Sequence, residues 1–280
     1  MKILTATSPG PAGRRNEDFV GDVPGAVVLL DGAGIPGTEA ICCHGVAWYS
    51  HTLGATLLGR LAREGGTDLV AALADSIDEV AGHHRRTCDI ANPSSPQSTV
   101  AMIRFEDDRA DFLVLADVYV VLDMGDARPQ VVTDTREVSV RRECTATLHG
   151  LPIGTLEYEQ AKQLVIDALR ARRNQLGGYW IAKDDPRAAM EAVTGSVPLG
   201  RLNGAALLSN GASRIVDPYR LCEWPTVLEL MRTRGPDEIL RRIRGAEAEG
   251  AGSLSGFHHS DDATVAYCEP AERSAHPPVT

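Results

Sequence analysis

No stretch of the sequence approaches the roughly 18 uninterrupted apolar residues that a membrane-crossing helix needs, and residues 1–8 lack the apolar core of an export signal. A membrane span and a leader are therefore not expected, and the expected location is cytoplasmic. Basic residues are also in short supply. Lys and Arg number 28 against 38 Asp and Glu, giving a net charge of −10. A nucleic-acid-binding face wants the opposite balance, so neither nucleic acid nor membrane is expected as a partner. The six cysteines, Cys42, Cys43, Cys88, Cys144, Cys222 and Cys268, include no Cys-x-x-Cys pair. Their scatter matches neither a zinc motif nor a secreted disulfide framework; it reads as buried thiols in a reducing compartment. Internal repeats, low-complexity tracts and a dividing linker are all missing. The 280 residues read as one domain over 1–268 and a flexible, Pro-rich tail over 269–280.

What the chain does have is Val27-Val28-Leu29-Leu30-Asp31-Gly32-Ala33-Gly34. Four apolar residues, two of them β-branched, predict a buried strand. The strand runs into one acid and two glycines. Asp-Gly is a common turn pair, but glycine also permits a close backbone approach. One carboxylate and one open carbonyl then stand at a strand end, where a hard cation can take both.

Strands are expected at residues 2–7, from Phe19 onward, and at 27–30, with the second and third as antiparallel neighbours. Apolar spacing from Ile41 through Leu61 predicts a long helix over 38–63 that carries Cys42, Cys43 and His44. Thr67 or Asp68 caps a second helix over 68–83, whose end carries His83 and His84. These read as charges suited to the helix dipole rather than as metal ligands. Strands follow at 98–105, 111–123 and 130–133, with a hairpin at 106–109. The second half reads as helices at 157–173, 186–193, 224–232 and 236–247, with strands at 205–208 and 265–268. Blocks of strands, then helices, then strands indicate an α+β fold rather than alternating βαβ units.

Three acidic strand-end sites stand out: Glu17 and Asp18, Asp31-Gly32, and Asp261 with Asp262. Ser209-Asn210-Gly211 has the same strand-then-Gly shape with an amide in place of the acid. All these donors are oxygens, which favours Mg²⁺ or Mn²⁺ over zinc or copper. A carboxylate shared by two such ions creates a water nucleophile near neutral pH, and Arg14 or Arg15 beside it can hold a phosphate.

The order Asn16-Glu17-Asp18, Leu30-Asp31-Gly32-Ala33-Gly34, Ser98-Thr99-Val100-Ala101, Leu207-Leu208-Ser209-Asn210-Gly211, Asp261-Asp262-Ala263-Thr264-Val265 resembles the type 2C protein phosphatase family, from about Asn16 to Tyr267. The resemblance implies a four-layer αββα fold, in which a sandwich of two antiparallel sheets is flanked by helices. It implies two Mg²⁺ or Mn²⁺ ions and hydrolysis of phosphoserine or phosphothreonine by a metal-activated water. It also implies, as partner, a phosphorylated protein substrate or a kinase-pathway protein. Asp31 then resembles the bridging carboxylate, Gly32 the carbonyl ligand, Asp261 the late metal carboxylate, and Glu17 and Asp18 the acids of the second metal. Asp262 is expected to be structural. Asn210 stands where the family has a metal-binding aspartate. Arg14 and Arg15 are offset from the family's phosphate-binding arginine, and Ala116-Asp117-Val118-Tyr119 keeps little of the family's Gly-Asp-Ser-Arg strand. These departures leave open a catalytically impaired pseudophosphatase that acts by binding. Candidates for the proton donor to the leaving group are His44, His258 and His259.

Overall fold

In the computed structural model of the chain, which describes residues 1–10, 15–34, 40–63, 68–250 and 260–270, ten strands form two antiparallel sheets of five. In chain order the strands are β1 (Lys2–Ser8), β2 (Phe19–Val23), β3 (Ala26–Ala33), β4 (Gln97–Phe105) and β5 (Arg109–Leu115). They continue as β6 (Tyr119–Asp123), β7 (Gln130–Val132), β8 (Val193–Pro198), β9 (Gly204–Leu208) and β10 (Ala263–Glu269). One sheet has the order β1-β10-β9-β6-β7, the other β2-β3-β4-β5-β8.

The apolar run in β3 shows why the layers stack as they do. Side chains alternate across a strand, and here both faces are covered. Val27 and Leu29 point between the sheets, against Ala101, Ile103, Val120 and Leu207. Val28 and Leu30 point the other way, against Leu53, Leu57, Leu73 and Ile77. Those four belong to α1 (Val46–Arg63) and α2 (Leu69–His84), which cover this sheet. After a single helical turn, α5 (Asn210–Ser213), the other sheet is covered by α6 (Trp224–Arg234) and α7 (Asp237–Ala248), through Val227, Met231, Ile239 and Ile243. The result is an α+β sandwich of four layers, helices outside and two sheets within. Trp180 is buried in the α1–α2 side of the core, and Trp224 packs beside Tyr119 on the opposite side. Among the described residues no helix is long and apolar enough to cross a membrane.

Three expectations are corrected and two elements are added. The first helix does not start at residue 38: α1 begins at Val46, after a loop in which Gly45 takes a φ of +79°. Ile41 matched the helical spacing, yet its carbonyl accepts from Asp89 N at 2.9 Å, a tertiary bond that ties this loop of turns to the segment after α2. Cys42, Cys43 and His44 are therefore off the helix. Residues 111–123 are not one strand either. The chain breaks at Ala116, whose φ is +67°, so that β5 lies in one sheet and β6 in the other. A single strand there would far exceed the usual five or six residues. The structure adds a helix, α3 (Arg136–Thr145), and the edge strand β8, neither of which has a clear apolar stripe: Val140 is the one buried residue of α3 and Val197 that of β8. Finally, residues 186–193 are not a helix of that length: a short 3₁₀ turn, Pro186–Glu191, leads into β8, which begins at Val193.

Candidate metal centre

At one end of the sandwich the strand ends bring acids from both sheets together. Asp18 precedes β2, Asp31 lies near the end of β3, Asp117 sits in the crossing between β5 and β6, and Asp261 precedes β10. A cleft of about 660 Å³ opens above them, with Glu17, Asp31, Gly32, Asp117, Asn210 and Asp261 in its floor. Its outer wall comes from α3 and from α4 (Leu156–Ala171), with Arg141, Ile166, Leu169 and Arg170, and Arg173 lies just beyond.

Two close approaches require glycine. A Cβ on Gly32 would lie 2.3 Å from the Glu17 carbonyl oxygen and 2.9 Å from its carbon, and a Cβ on Gly211 would lie 2.0 Å from the Asp262 carbonyl oxygen. The Glu17 carbonyl is itself bound by the Ser50 hydroxyl, so it has little freedom to move away. Gly32→Ala is therefore expected to destabilise the protein by about 1–3 kcal/mol and to weaken Mn²⁺ binding, because Glu17 must be displaced. Thermal unfolding and a Mn²⁺ titration check both effects.

The electrostatics of the floor are those of a site short of cations. Burial comes first in pushing the Asp31 carboxyl well above its ordinary range, followed by the charges of Asp18, Asp261 and Asp117. One bond works against this: Asn210 N donates to Asp31 Oδ2 at 2.8 Å. Burial also raises Asp18 to about 7, aided by the charges of Asp262 and Asp261 and opposed by the hydroxyls of Thr264 and Ser209. Neither oxygen of Asp18 receives a well-formed hydrogen bond among the described residues. Asp117 stands at about 7 as well, raised by burial and by Glu137. Buried carboxylates without donors are costly, and an all-oxygen set of this kind fits a hard divalent ion.

Some of the floor is already partnered. Arg214 Nη2 donates to Asp261 Oδ2 at 2.6 Å. Asn210 Nδ2 donates to Asp117 Oδ2 at 2.8 Å, so the amide nitrogen, not its oxygen, faces that carboxylate. Asp262 accepts from Gly10 N at 2.7 Å and Glu17 N at 2.6 Å, fixing the loop before β2 to the start of β10.

The structure thus brings Glu17, Asp18, Asp31, Gly32, Asn210 and Asp261 together. Arg15 is exposed and does not line the cleft, and Arg14, His258 and His259 lie outside the described residues. His44 is not in the cleft lining. Asp117, matched only within the degenerate Ala116–Tyr119 strand, was not assigned to the site by sequence, and Arg141, Arg170, Arg173 and Arg214 were not singled out. The excessive length of the 111–123 strand was a further signal for Asp117; the arginines had none, because they reach the site only through tertiary packing.

No family model and no curated protein matches the sequence. Solved structures match nearly its whole length. The serine/threonine phosphatase Stp1 from Staphylococcus aureus superposes with a TM-score of 0.59 at 13% identity, covering 96% of this chain and 95% of that one. The catalytic domain of the serine threonine protein phosphatase PstP, solved in complex with 2 manganese ions, gives 0.59 at 18% identity, with 96% and 97% covered. PppA, described as a key regulatory component of T6SS in Pseudomonas aeruginosa, gives 0.55 at 18%, with 96% of each chain covered. At these identities the likeness establishes the fold.

Proposed function

We propose that this chain, which has the type 2C phosphatase-like fold, is a divalent-metal-dependent phosphatase of phosphoserine or phosphothreonine proteins. The observation that carries this reading is the convergence of Asp18, Asp31, Asp117 and Asp261 beneath an arginine-rimmed cleft, with two buried oxygens on Asp18 that lack well-formed hydrogen bonds. Asp31, through its carboxylate, and Gly32, through its carbonyl, would hold the ions. Asp261, Glu17, Asp18 and the Asn210 side-chain oxygen complete the set, directly or through water. The assigned ions are two Mg²⁺ or Mn²⁺, supported by the oxygen donors and by the 2 manganese ions of the PstP neighbour. When bound, such ions lower the pKa of a water and neutralise phosphate charge.

The rest falls to the protein's own side chains. Asn210 N holds one oxygen of Asp31 and leaves the other available to the floor. Arg141, Arg170 and Arg173 line the cleft; each has a protein partner, Glu137, Asp167, and Tyr179 with the Pro93 carbonyl respectively, and their remaining N–H groups suit a phosphate dianion. These three, rather than the exposed Arg15, are assigned to orient it. Ile166 and Leu169 are the apolar part of the cleft wall, which limits water around a bound phosphate.

A second reading rests on two specific contacts. Asn210 Nδ2 already satisfies Asp117, and Arg214 already pairs with Asp261. Both contacts reduce the negative charge left for a cation, and they favour a pseudophosphatase that keeps the fold to bind a phosphoprotein or a kinase-pathway partner.

Hydrolysis of p-nitrophenyl phosphate with Mn²⁺, with Mg²⁺ and with chelator separates the two, with Asp31→Asn as control. The expected result is metal-dependent turnover that falls at least about 100-fold in the variant, equivalent to about 2.7 kcal/mol. Folded wild-type protein that is inert at saturating Mn²⁺ transfers the assignment to the second reading.

A further inference from the structure

Away from the cleft, the loop before α1 meets the C-terminal end of α2. Cys42 and His44 come from the loop, His84 is the last residue of α2, and Cys88 lies one turn beyond it. Their four ligand atoms all lie within 4.8 Å of one another. Cys42 Sγ is 3.6 Å from His84 Nδ1 and 3.8 Å from His44 Nδ1, and His44 Nδ1 is 3.3 Å from Cys88 Sγ. A tetrahedral ion with bonds of about 2.3 Å to sulfur and about 2.0 Å to nitrogen holds its ligands roughly 3.3–3.8 Å apart. The three measured edges fall in that range.

We propose that Cys42, His44, His84 and Cys88 form a structural zinc site, separate from the oxygen-lined centre. The donor set is two thiols and two imidazoles, which selects Zn²⁺ over Mg²⁺ or Mn²⁺. Four protein ligands leave no open position, so the site is a clip rather than a second reaction centre.

Burial supplies an independent argument. His84 is 1% exposed, and its Nε2 has no hydrogen-bond partner among the described residues. The ring's one polar contact is therefore Nδ1, aimed at Cys42 and the cluster. A buried imidazole whose only partner is a weak thiol is poorly satisfied; a metal bond at Nδ1 removes that deficit. Trp48 packs against both rings, with centroids 4.3 Å from His44 and 5.1 Å from His84, and shields the inner side from water.

The backbone is prearranged as well. Cys88 N donates to His84 O at 2.9 Å, which places the two side chains on one side of a turn, and Asp89 N donates to Ile41 O at 2.9 Å, which locks the two loops in register. The sequence pattern is Cys-x-His followed, after the α1–α2 pair, by His-x-x-x-Cys. The scattered cysteines hid it because the two halves lie far apart in the chain. One half follows the segment that leaves the cleft at Gly34; the other precedes the segment that re-enters it at Ser94 and Ser95. The clip therefore ties together two segments that each supply cleft lining. Cys43, exposed, has its Sγ 4.0 Å from Cys88 Sγ and is the competing partner for that thiol.

The test uses the full, untagged chain purified under reducing conditions. Elemental analysis after dialysis against Mg²⁺ is expected to show one equivalent of zinc. Replacement by Co²⁺ is expected to give thiolate-to-cobalt charge-transfer absorption, which an all-oxygen centre cannot produce. Cys42→Ser and Cys88→Ser are expected to lose the zinc and the band, and Cys43→Ser to keep both. Stripping the zinc is expected to lower the melting temperature by at least about 5 °C. Folded wild-type protein with neither zinc nor the cobalt band overturns the proposal, even if the variants do not fold. A Cys43–Cys88 disulfide in metal-free protein that cannot be loaded after reduction also overturns it, as does loss of the metal in Cys43→Ser.

Discussion

Asn210→Asp is expected to raise Mn²⁺-dependent hydrolysis of p-nitrophenyl phosphate at least tenfold and to lower the stability of the metal-free protein. The two effects share one cause. In the native chain Asn210 Nδ2 donates to Asp117 Oδ2 at 2.8 Å, a bond that a carboxylate cannot make. The substitution replaces it with two like charges beside Asp31, whose pKa is already raised by burial and then by its acidic neighbours. Losing that bond to a charged group costs about 1–3 kcal/mol, before any repulsion. With a divalent ion present the sign reverses. A unit charge about 4 Å from another contributes about 4 kcal/mol at an effective dielectric near 20, and a surviving gain of about 1.4 kcal/mol is already tenfold in affinity. Mn²⁺ titration and unfolding in chelator read the two halves separately. If turnover and Mn²⁺ affinity are both unchanged, Asn210 is not a ligand. If turnover appears only in the variant, the native protein is the pseudophosphatase of the second reading.

Metal-free protein is expected to lose stability as pH rises from about 5 to about 7, by a few kcal/mol. Asp18 and Asp117 both move from an ordinary value of 3.8 to about 7, and burial is the first cause in each case. Between those values the folded state holds protons that the unfolded state has released. Unfolding free energy therefore falls with rising pH, with a slope of about 1.4 kcal/mol per pH unit for each fully displaced group. Glu238 behaves in the opposite way: its bonds to Arg241 and Arg242 lower it to about 2, so the stability it adds is lost only as pH falls from 4.5 toward that value. A window starting at about pH 5 isolates the raised carboxylates. Mn²⁺ is expected to flatten the slope, since a bound cation favours the charged forms. Denaturant titrations at several pH values, with chelator and with Mn²⁺, measure this. A flat profile in chelator would mean that the floor is well solvated and not poised for a cation.

How far the sequence reached depends on where each feature's cause lies. The β3 run was legible because it is buried on both faces, and a strand so covered is apolar at every position. Asp31-Gly32 was legible because a strand end followed by glycine has a local signature, and Asp261 because an Asp-Asp pair stands directly before the last apolar run. Asp117 was not, because the break at Ala116 is imposed by the partner sheets: β5 pairs with β4, β6 with β9. The loop at residues 40–45 was missed because Ile41 happens to continue the helical spacing, and what opposes the helix is a bond to Asp89, far along the chain. The arginine wall shows the same limit. Arg141 and Arg170 look like ordinary surface partners of Glu137 and Asp167 until α3 and α4 are placed over the cleft.

The position of β10 has a consequence for synthesis. It is last in sequence among the described strands, yet it sits between β1 and β9, with Lys2 opposite Glu269 and Leu208 opposite Val265. Until residues 263–269 leave the ribosome, β1 has no partner in its sheet and β9 has an open edge. Closing such a long loop makes this pairing a late, slow event. Asp261 and Asp262 lie just before that strand. A nascent chain thus lacks Asp261, and the bonds that Gly10 and Glu17 donate to Asp262, until residues 261–269 have been made. The order of the strands keeps a partly made chain from assembling the centre early.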